Sequence, residues 1–578
     1  GAADYIVAAT QAVDGYGEHT LANGNVALIQ HSGAVNSKQY GTNGTSDDGP
    51  KIKAAAASVG SIILDGDVRI ETSVIINSPL TLRGTTDHKI VPALGLAGGK
   101  VLDLITDDID FEGILMDGAG ETFTPATGNT YGIYAGDAVT VYKNHRYVNN
   151  RLRNLSLSDG LTGTSNSKVN HGIYVIDVDE VEITHNKIHT TSGAAIFLED
   201  IDKLQCDFNA CTDNGWYPIH VDGGVTNFSI DDNTIICNLP AGAFYGGGID
   251  LMNQHIPVHA RSKNGTVNNN HFEGVFSYGA IIRAFSCESV EIHGNTGDNL
   301  SSGTWSAGGG DVTIIRLDTR GTVAGSGNGP VKNMSVKDNV FTKPVTAGET
   351  SGVYVSNQWQ VARVPATGIT VKDNKMLKNS AGDGFTGGYS FHGNEGGIED
   401  LWIEDNYADT ELGNTSPVNG AIGFVATNAQ GSITGVKEGG NTIVDLGTPA
   451  ASYQVGLSIG AYVDEFFNTK INTLDNFYYS VRTFTNSGPT LEYINNIHAP
   501  TVGMSELLLA VTPSKYRDLG QARTTTQLTD NSDSINAQGK YEGKRVFNTT
   551  ANKPLYATGS AAGSTWNDAV GALSVTPV

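Results

Sequence analysis

VEITHNKIHTTSGAAIFLEDIDKLQCDFNACTDNGWYPIHVDGGVTNFSIDDNTIIC, residues 181–237, holds three copies of one pattern. An apolar residue is followed by one residue, an apolar residue, two residues, Asn, one residue and an apolar residue. The copies are Val181-Ile183-Asn186-Ile188, Leu204-Cys206-Asn209-Cys211 and Phe228-Ile230-Asn233-Ile235. The alternation reads as a strand with one buried face. The Asn then stands where the strand turns, as a residue that tolerates left-handed backbone and can hydrogen-bond neighbouring peptide groups.

Outside this stretch the pattern returns at Val290-Ile292-Asn295, Met334-Val336-Asn339-Phe341, Ile369-Val371-Asn374-Met376 and Leu401-Ile403-Asn406. Gly265-Val267-Asn270-Phe272 is a weaker copy. Successive Asn are 23 and 24 residues apart at first and 25 to 44 apart later. A fixed template with variable spacing predicts stacked coils, with loops inserted at the turns of the longer ones. Asn residues at one turn of successive coils would then form a hydrogen-bonded ladder. A second strand precedes each Asn strand, as in Gly172-Ile173-Tyr174-Val175, Ala195-Ile196-Phe197-Leu198, Pro218-Ile219-His220-Val221 and Gly248-Ile249-Asp250-Leu251. This is the pattern of a parallel β-helix.

Composition agrees. Gly numbers 72 of 578 residues and Pro only 17, a balance that suits turns and short strands. No apolar run approaches the ~20 residues of a membrane helix. With 36 Lys and Arg against 60 Asp and Glu, the net charge of -24 argues against nucleic acid as partner. Cys206, Cys211, Cys237 and Cys287 form no CxxC and have no His pair at zinc spacing. They read as buried thiols, with no metal and no cofactor expected.

Near the start stand YGTNGTSDDGPKIKAAAA, residues 40–57, and GSIILDGDVRIETSVIINSPLTLRG, residues 60–84. Asp47 and Asp48 are placed to cap a short helix that covers the first coil. These segments resemble the opening motif and first coils of phage tailspikes and pectate-lyase-like depolymerases. The match runs through Tyr40, Gly41, Gly44, Asp47 and Asp48 and departs at Asn43 and Asp65. GKRVFNTTANKPLYATGSAAGSTW, residues 543–566, is similar to a module at the ends of phage tail proteins. The resemblance implies an all-β, right-handed, single-stranded parallel β-helix. It implies a homotrimeric spike on the virion tail that binds and depolymerises capsular polysaccharide or lipopolysaccharide O-antigen. Residues 1–37 are expected to be a connector from a virion-binding head, 38–500 the β-helix with its helix cap, and 501–578 a C-terminal region for trimerisation or sugar binding. The RxPxxR stretch of pectate lyases is incomplete at Arg363-Val364-Pro365, and of the polygalacturonase elements only His392-Gly393 is present, so plant pectin is a poor substrate.

Glycoside hydrolysis needs two carboxyl groups about the scissile bond. Aligned on their first inward residue, the second strands give an outward column Tyr174, Phe197, His220, Asp250 and a next column Ile176, Glu199, Asp222, Met252. With Ala280 taken as inward, Arg283 continues the second column; Arg316 and Asp318 extend both. Glu199, Asp222 and Asp250 are therefore the candidate catalytic carboxylates, with at least one pKa raised by like charge. Asp222 is central, and its offset from Asp250 suits inversion. Tyr174, Phe197, His220, Trp216, Tyr217, Tyr245, Arg283 and Arg316 are candidate sugar contacts. Asp177, Asp179 and Glu180 read as turn acids, and His255, His259 and Arg261 as an insertion that overhangs the strip or only decorates a loop. Outward Asp and Glu are also common as plain solvated residues, and a groove between subunits would recruit Asp311 or Asp318 instead. A polysaccharide lyase, with His220 or a Tyr as base beside Arg283, and a non-catalytic receptor-binding spike are the alternatives.

Overall fold

The computed structural model describes residues 33–445 except 86, 119–128, 156–169, 239–246, 253–260, 277–279, 303–311, 322–328, 346–349, 360–363, 394, 411–421, 426–430 and 440. It also describes residues 521–578 except 538–539, 541 and 569–573, and the backbone of short strands at Asp4–Ala8, Glu18–Thr20, Val26–Gln30, Leu457–Ile459, Phe466–Asn468 and Asn472–Thr473. Tyr245, His255, His259 and Asp311 lie outside these residues.

Each coil lays down three strands, here called leading, middle and trailing. In one coil a strand at Ile196–Gln205 supplies leading and middle, and Ala210–Asn214 is trailing. All pairings between coils are parallel. One inward column of the leading sheet runs Ile133, Ile173, Ile196, Ile219, Ile249, Ile282, Ile315, Val353, Tyr389, Ile422 without a slip. These residues are buried in one continuous apolar core. Burial of each Ile or Val contributes roughly 1.5–3 kcal/mol. A one-residue slip would turn that column to solvent, so the column fixes the register.

Between middle and trailing strands stands the ladder of Asn150, Asn186, Asn209, Asn233, Asn270, Asn295, Asn339, Asn374, Asn406 and Asn441, all buried. The peptide N–H and Nδ2 of Asn186 both donate to Asn209 Oδ1 at 3.0 Å, and Nδ2 donates again to Tyr147 O at 2.8 Å. The same set recurs from Asn209 to Asn233 and onward to Asn441. Buried amides are thereby satisfied by their own kind. The left-handed residue is not the Asn but the one before it: Asn149, His185, Phe208, Asp232, Asn269, Asp338, Asp373 and Asp405, with φ from 53° to 58°. The turn reverses there, and the next residue projects inward. The ladder thus owes its Asn to hydrogen bonding and not to backbone tolerance. The weaker copy at Gly265 also has a steric reason: a Cβ there would lie 2.2 Å from Phe228 Cζ. Phe228 of the preceding coil occupies that space.

Cys206, Cys211, Cys237 and Cys287 are free and buried. Helix α1 (Gly49–Val59) turns Ile52, Ala55 and Ala56 into the core at the first coils. The two aspartates before it do more than cap. Asp48 holds the N-cap position, but its carboxylate accepts from Gly44 N at 2.8 Å and Arg69 N at 3.2 Å. Asp47 accepts from Gly49 N at 3.1 Å, and from Glu71 N at 3.0 Å and Thr72 Oγ1 at 2.7 Å. They pin the opening loop to the strand at Val68–Ile76. Residues 521–578 build a five-stranded sheet over their own core of Leu528, Ile535, Val546, Leu555 and Trp566. Among the described residues no helix is long and apolar enough to cross a membrane.

Candidate active site

The leading sheet turns one column of side chains outward in the order Asp103, Tyr134, Tyr174, Phe197, His220, Asp250, Arg283, Arg316, Tyr354, Ser390. Arg283 belongs here, opposite Asp250, and not in the second column. The inward residue of its strand is Ile282, which pairs with Ile249. Ala280 stands two residues too early to set the register. The second column carries Glu199, Asp222, Met252, Phe285, Asp318, Ser356 and His392.

Coil spacing of ~4.8 Å brings like rings face to face. Tyr134 and Tyr174 stack with centroids 4.9 Å apart at 4°, and Tyr174 and Phe197 at 4.6 Å and 19°. Phe197 and His220 follow at 4.6 Å, and Lys100 Nζ covers the far end, 3.5 Å from the Tyr134 centroid. These rings spend their faces on one another and offer edges outward. Trp216 differs: it lies half-buried across His220, 4.4 Å away. Tyr217 is fully buried under the Arg283 guanidinium, 4.6 Å from its centroid.

Asp250 is fully buried. It accepts from Arg283 Nε at 2.6 Å and from Arg283 Nη2, and Nδ1 of His220 stands 3.0 Å from its Oδ2. Burial alone would raise its carboxyl, but Arg283 and His220 outweigh burial and hold it below the ordinary carboxylate value. The like-charge rise expected from the sequence is absent at this residue, because its nearest ionic partner is an arginine. Glu199 is 5% exposed, and the Tyr174 hydroxyl donates to its Oε2 at 2.5 Å. Burial, then the Glu199 charge, push the Tyr174 hydroxyl far above the ordinary phenol value. Asp222 is half-buried one coil on, in the Glu199 column.

Further along, Arg316 Nη2 donates to buried Asp318 at 2.8 Å, and its guanidinium carbon lies 5.3 Å from the Tyr354 centroid. His392 packs on Tyr354 at 4.7 Å, and burial, then Arg316, lower its pKa to about 4. The sequence offered His392 only as part of a chance His-Gly pair. His171, also unassigned, stacks on Tyr131 at 5.4 Å; burial lowers its pKa to about 3. Tyr131 and Tyr134 were legible in Tyr131-Gly132-Ile133-Tyr134, which repeats the pattern of Gly172-Ile173-Tyr174. A shallow depression of about 360 Å³ at the leading–middle corner is lined by Lys143, Asp179, Glu180 and Lys203. Its charges pair, with Lys203 2.6 Å from Glu180, as turn acids do.

Residues 112–357 match a family model described as a right handed beta helix region. No curated protein matches the chain. Among solved structures, it is similar to the enzymatically active domain of bacteriophage CBA120 tailspike protein 2, at 11% identity and TM-score 0.35, covering 75% of this chain and 52% of that one. It is similar to the catalytic unit of a GH87 alpha-1,3-glucanase from Streptomyces thermodiastaticus, at 12% identity and TM-score 0.36, covering 81% and 72%. PfbA, a surface adhesin of Streptococcus pneumoniae, aligns at 15% identity and TM-score 0.39, covering 79% and 93%. The chain thus spans about half the length of that tailspike domain. The unbroken parallel register, the asparagine ladder and the family match identify the chain as an all-β, right-handed parallel β-helix protein.

Proposed function

We propose that the chain is the body of a phage tailspike that binds and hydrolyses a bacterial surface polysaccharide, capsule or O-antigen, along its leading sheet. The observation that carries the chemistry is the pairing of Glu199 and Asp222 in one outward column on adjacent coils. Two carboxylates so close favour keeping one proton between them. We assign the nucleophile's part to Glu199, to which Tyr174 donates, and the acid's part to Asp222. Asp222 then protonates the leaving glycosidic oxygen while Glu199 attacks the anomeric carbon. Residues one coil apart are ~4.8 Å apart, near the ~5 Å carboxyl separation of retaining enzymes and short of the inverting one. Retention replaces the inversion that an Asp222–Asp250 pair would have implied. Asp250, committed to Arg283, supports the floor of the site. Trp216 supplies the stacking face. Three copies assembled as a spike on the virion tail, attached through a further N-terminal head, complete the reading.

Digestion of purified capsular and O-antigen polysaccharides tests it. New reducing ends without an unsaturated product, released with retained anomeric configuration by NMR, are expected. An ultraviolet-absorbing unsaturated sugar would mean elimination, and binding without shortening would mean an adhesin.

A further inference from the structure

We infer that Phe208 and His185, on the asparagine corner, form a second glycan-binding site, which holds one pyranose ring of the surface polysaccharide without cleaving it. The inference rests on the reading of the chain as a polysaccharide-binding spike and is independent of the chemistry assigned to Glu199 and Asp222. Its basis is a residue that the fold does not ask for. The residue before each ladder Asn has left-handed backbone, and the described corners outside this pair fill that place with Gly, Asn or Asp. Those types accept the conformation most readily. Phe208 adopts it at φ 58°, where a bulky side chain is an outlier. It gains no core burial in return, being 49% exposed. His185, one coil back, takes the same φ and is exposed too. The two rings stack with centroids 5.0 Å apart at 23°. A strained backbone that presents an aromatic ring to solvent points to a use at the surface.

The corner joins the middle and trailing strands, so it stands across the coil from the leading sheet. Its own coil and the coils on either side are described throughout, from residue 170 to 238. His185 backs one face of the Phe208 ring. On the other side the corner continues with Asp232, short and exposed. Beside the ring on the trailing strand stands Ala210, where the adjoining coils carry Lys187 and Thr234. That small side chain leaves the flank of the ring open. A coil rise of ~4.8 Å brings Asp232 to the rim of a pyranose lying against Phe208. The C–H face of the sugar suits the ring, and its hydroxyls suit the rim, with Asp232 to accept and Lys187 to donate. A second copy of the chain fits this corner less well. The corner runs on as Asp232, Asn269, Gly294, Asp338, Asp373 and Asp405, and the chain carries -24, so a copy would bring acid to acid. Sugar hydroxyls are neutral and donate to carboxylates. A polymer that meets both the leading sheet and this corner is held longer, because the second contact forms at high local concentration.

The variants are Phe208→Asn, which restores a residue type that other corners carry, and Phe208→Tyr, which keeps a ring. The probes are purified capsular and O-antigen polysaccharides, each cast in a native gel, and short oligosaccharides prepared from them. Retention of the full chain gives affinity, measured in an Asp222→Asn background so that the polymer persists. For a polymer that retains the parent, Phe208→Asn should weaken retention about three- to tenfold, and Phe208→Tyr should not. With Asp222 intact, Phe208→Asn should raise KM on the polymer by the same factor and leave kcat unchanged. Turnover of oligosaccharides too short to reach the corner should not change. The denaturation midpoint of Phe208→Asn should hold or rise, because Asn accepts the left-handed backbone. Unchanged retention by Phe208→Asn overturns the second site and leaves the leading-sheet reading standing. A lower midpoint gives the ring a structural role and overturns the site as well. A smaller mass by light scattering assigns Phe208 to a contact between copies, with the same result. Retention of the parent by no polymer overturns the polysaccharide reading itself, and this site with it.

Discussion

Glu199, Asp222 and Asp250 share a strip of sheet but differ in what holds them, and their variants should differ in kind. Glu199→Gln and Asp222→Asn remove a nucleophile and an acid. Each should lower turnover by about a hundredfold or more with folding intact. Asp250→Ala leaves Arg283 buried without its partner and should cost about 3–5 kcal/mol in chemical denaturation. Equal losses of activity and unchanged stability in all three would reject this division. Acid should act on the same strip. His171 and His392 are held neutral, with folded pKa values of about 3 and about 4 against an ordinary 6.5. The unfolded chain binds their protons first as pH falls, so the stability they contribute is complete above pH ~6.5 and declines below it. Each should remove up to about 1.4 kcal/mol per pH unit between pH ~6 and ~4. Asp250, with its lowered pKa, adds a loss only below the ordinary carboxylate range. A flat denaturation midpoint from pH 7 to 4.5 would contradict the two histidines.

The strand and its turn are the scale at which the sequence is most legible. A template of apolar positions around Asn finds the coils because burial and amide pairing admit few substitutes there. Asn150 and Asn441 escape it for local reasons. His145 takes an apolar slot and buries by bonding Tyr147 and Thr106 O, while Glu438 takes another. The columns of the leading strand were legible for the same reason, up to Ile249. Beyond it the spacing no longer fixes the register, and a choice between Ala280 and Ile282 decided where Arg283 fell. Partner choice was not legible. Nothing in the spacing says that Tyr174 serves Glu199 or that Arg283 serves Asp250, because side-chain reach across coils decides both. Replacing Asn209 with Leu should break two rungs at once. Asn186 loses its acceptor, Asn233 keeps only the peptide N–H of residue 209 as donor, and Ile183 O keeps only that of Asp207. At ~1–3 kcal/mol per unsatisfied buried group, soluble yield and denaturation midpoint should both fall steeply. Substrate preference should not change.

Across the whole molecule the coils contact only their neighbours, so stability is close to a sum over coils and their interfaces. Long sheet faces, a capped first coil and a separately packed C-terminal unit suit association of copies side by side. Cyclic symmetry lets identical faces bury one another. Light scattering at micromolar concentration should give three times the chain mass of 60.7 kDa. A monomer there would remove the spike arrangement and leave the leading-sheet chemistry to be judged alone.

The asparagine turn has a consequence for how such a chain tolerates change. The spacing between successive ladder residues varies from 23 to 44, yet the template around each Asn keeps its length. Added residues enter at the other two corners, apart from Asn299, which bulges from a trailing strand. The asparagine corner is therefore a seam along which the chain cannot be lengthened, while the other corners are open slots for new loops. A short Gly-Ser peptide inserted after Asp202 should leave the protein soluble and folded by circular dichroism, whereas the same peptide inserted between Phe208 and Asn209 should not. Loops can be exchanged at those slots without retuning the coil, so binding preference and scaffold are free to diversify separately.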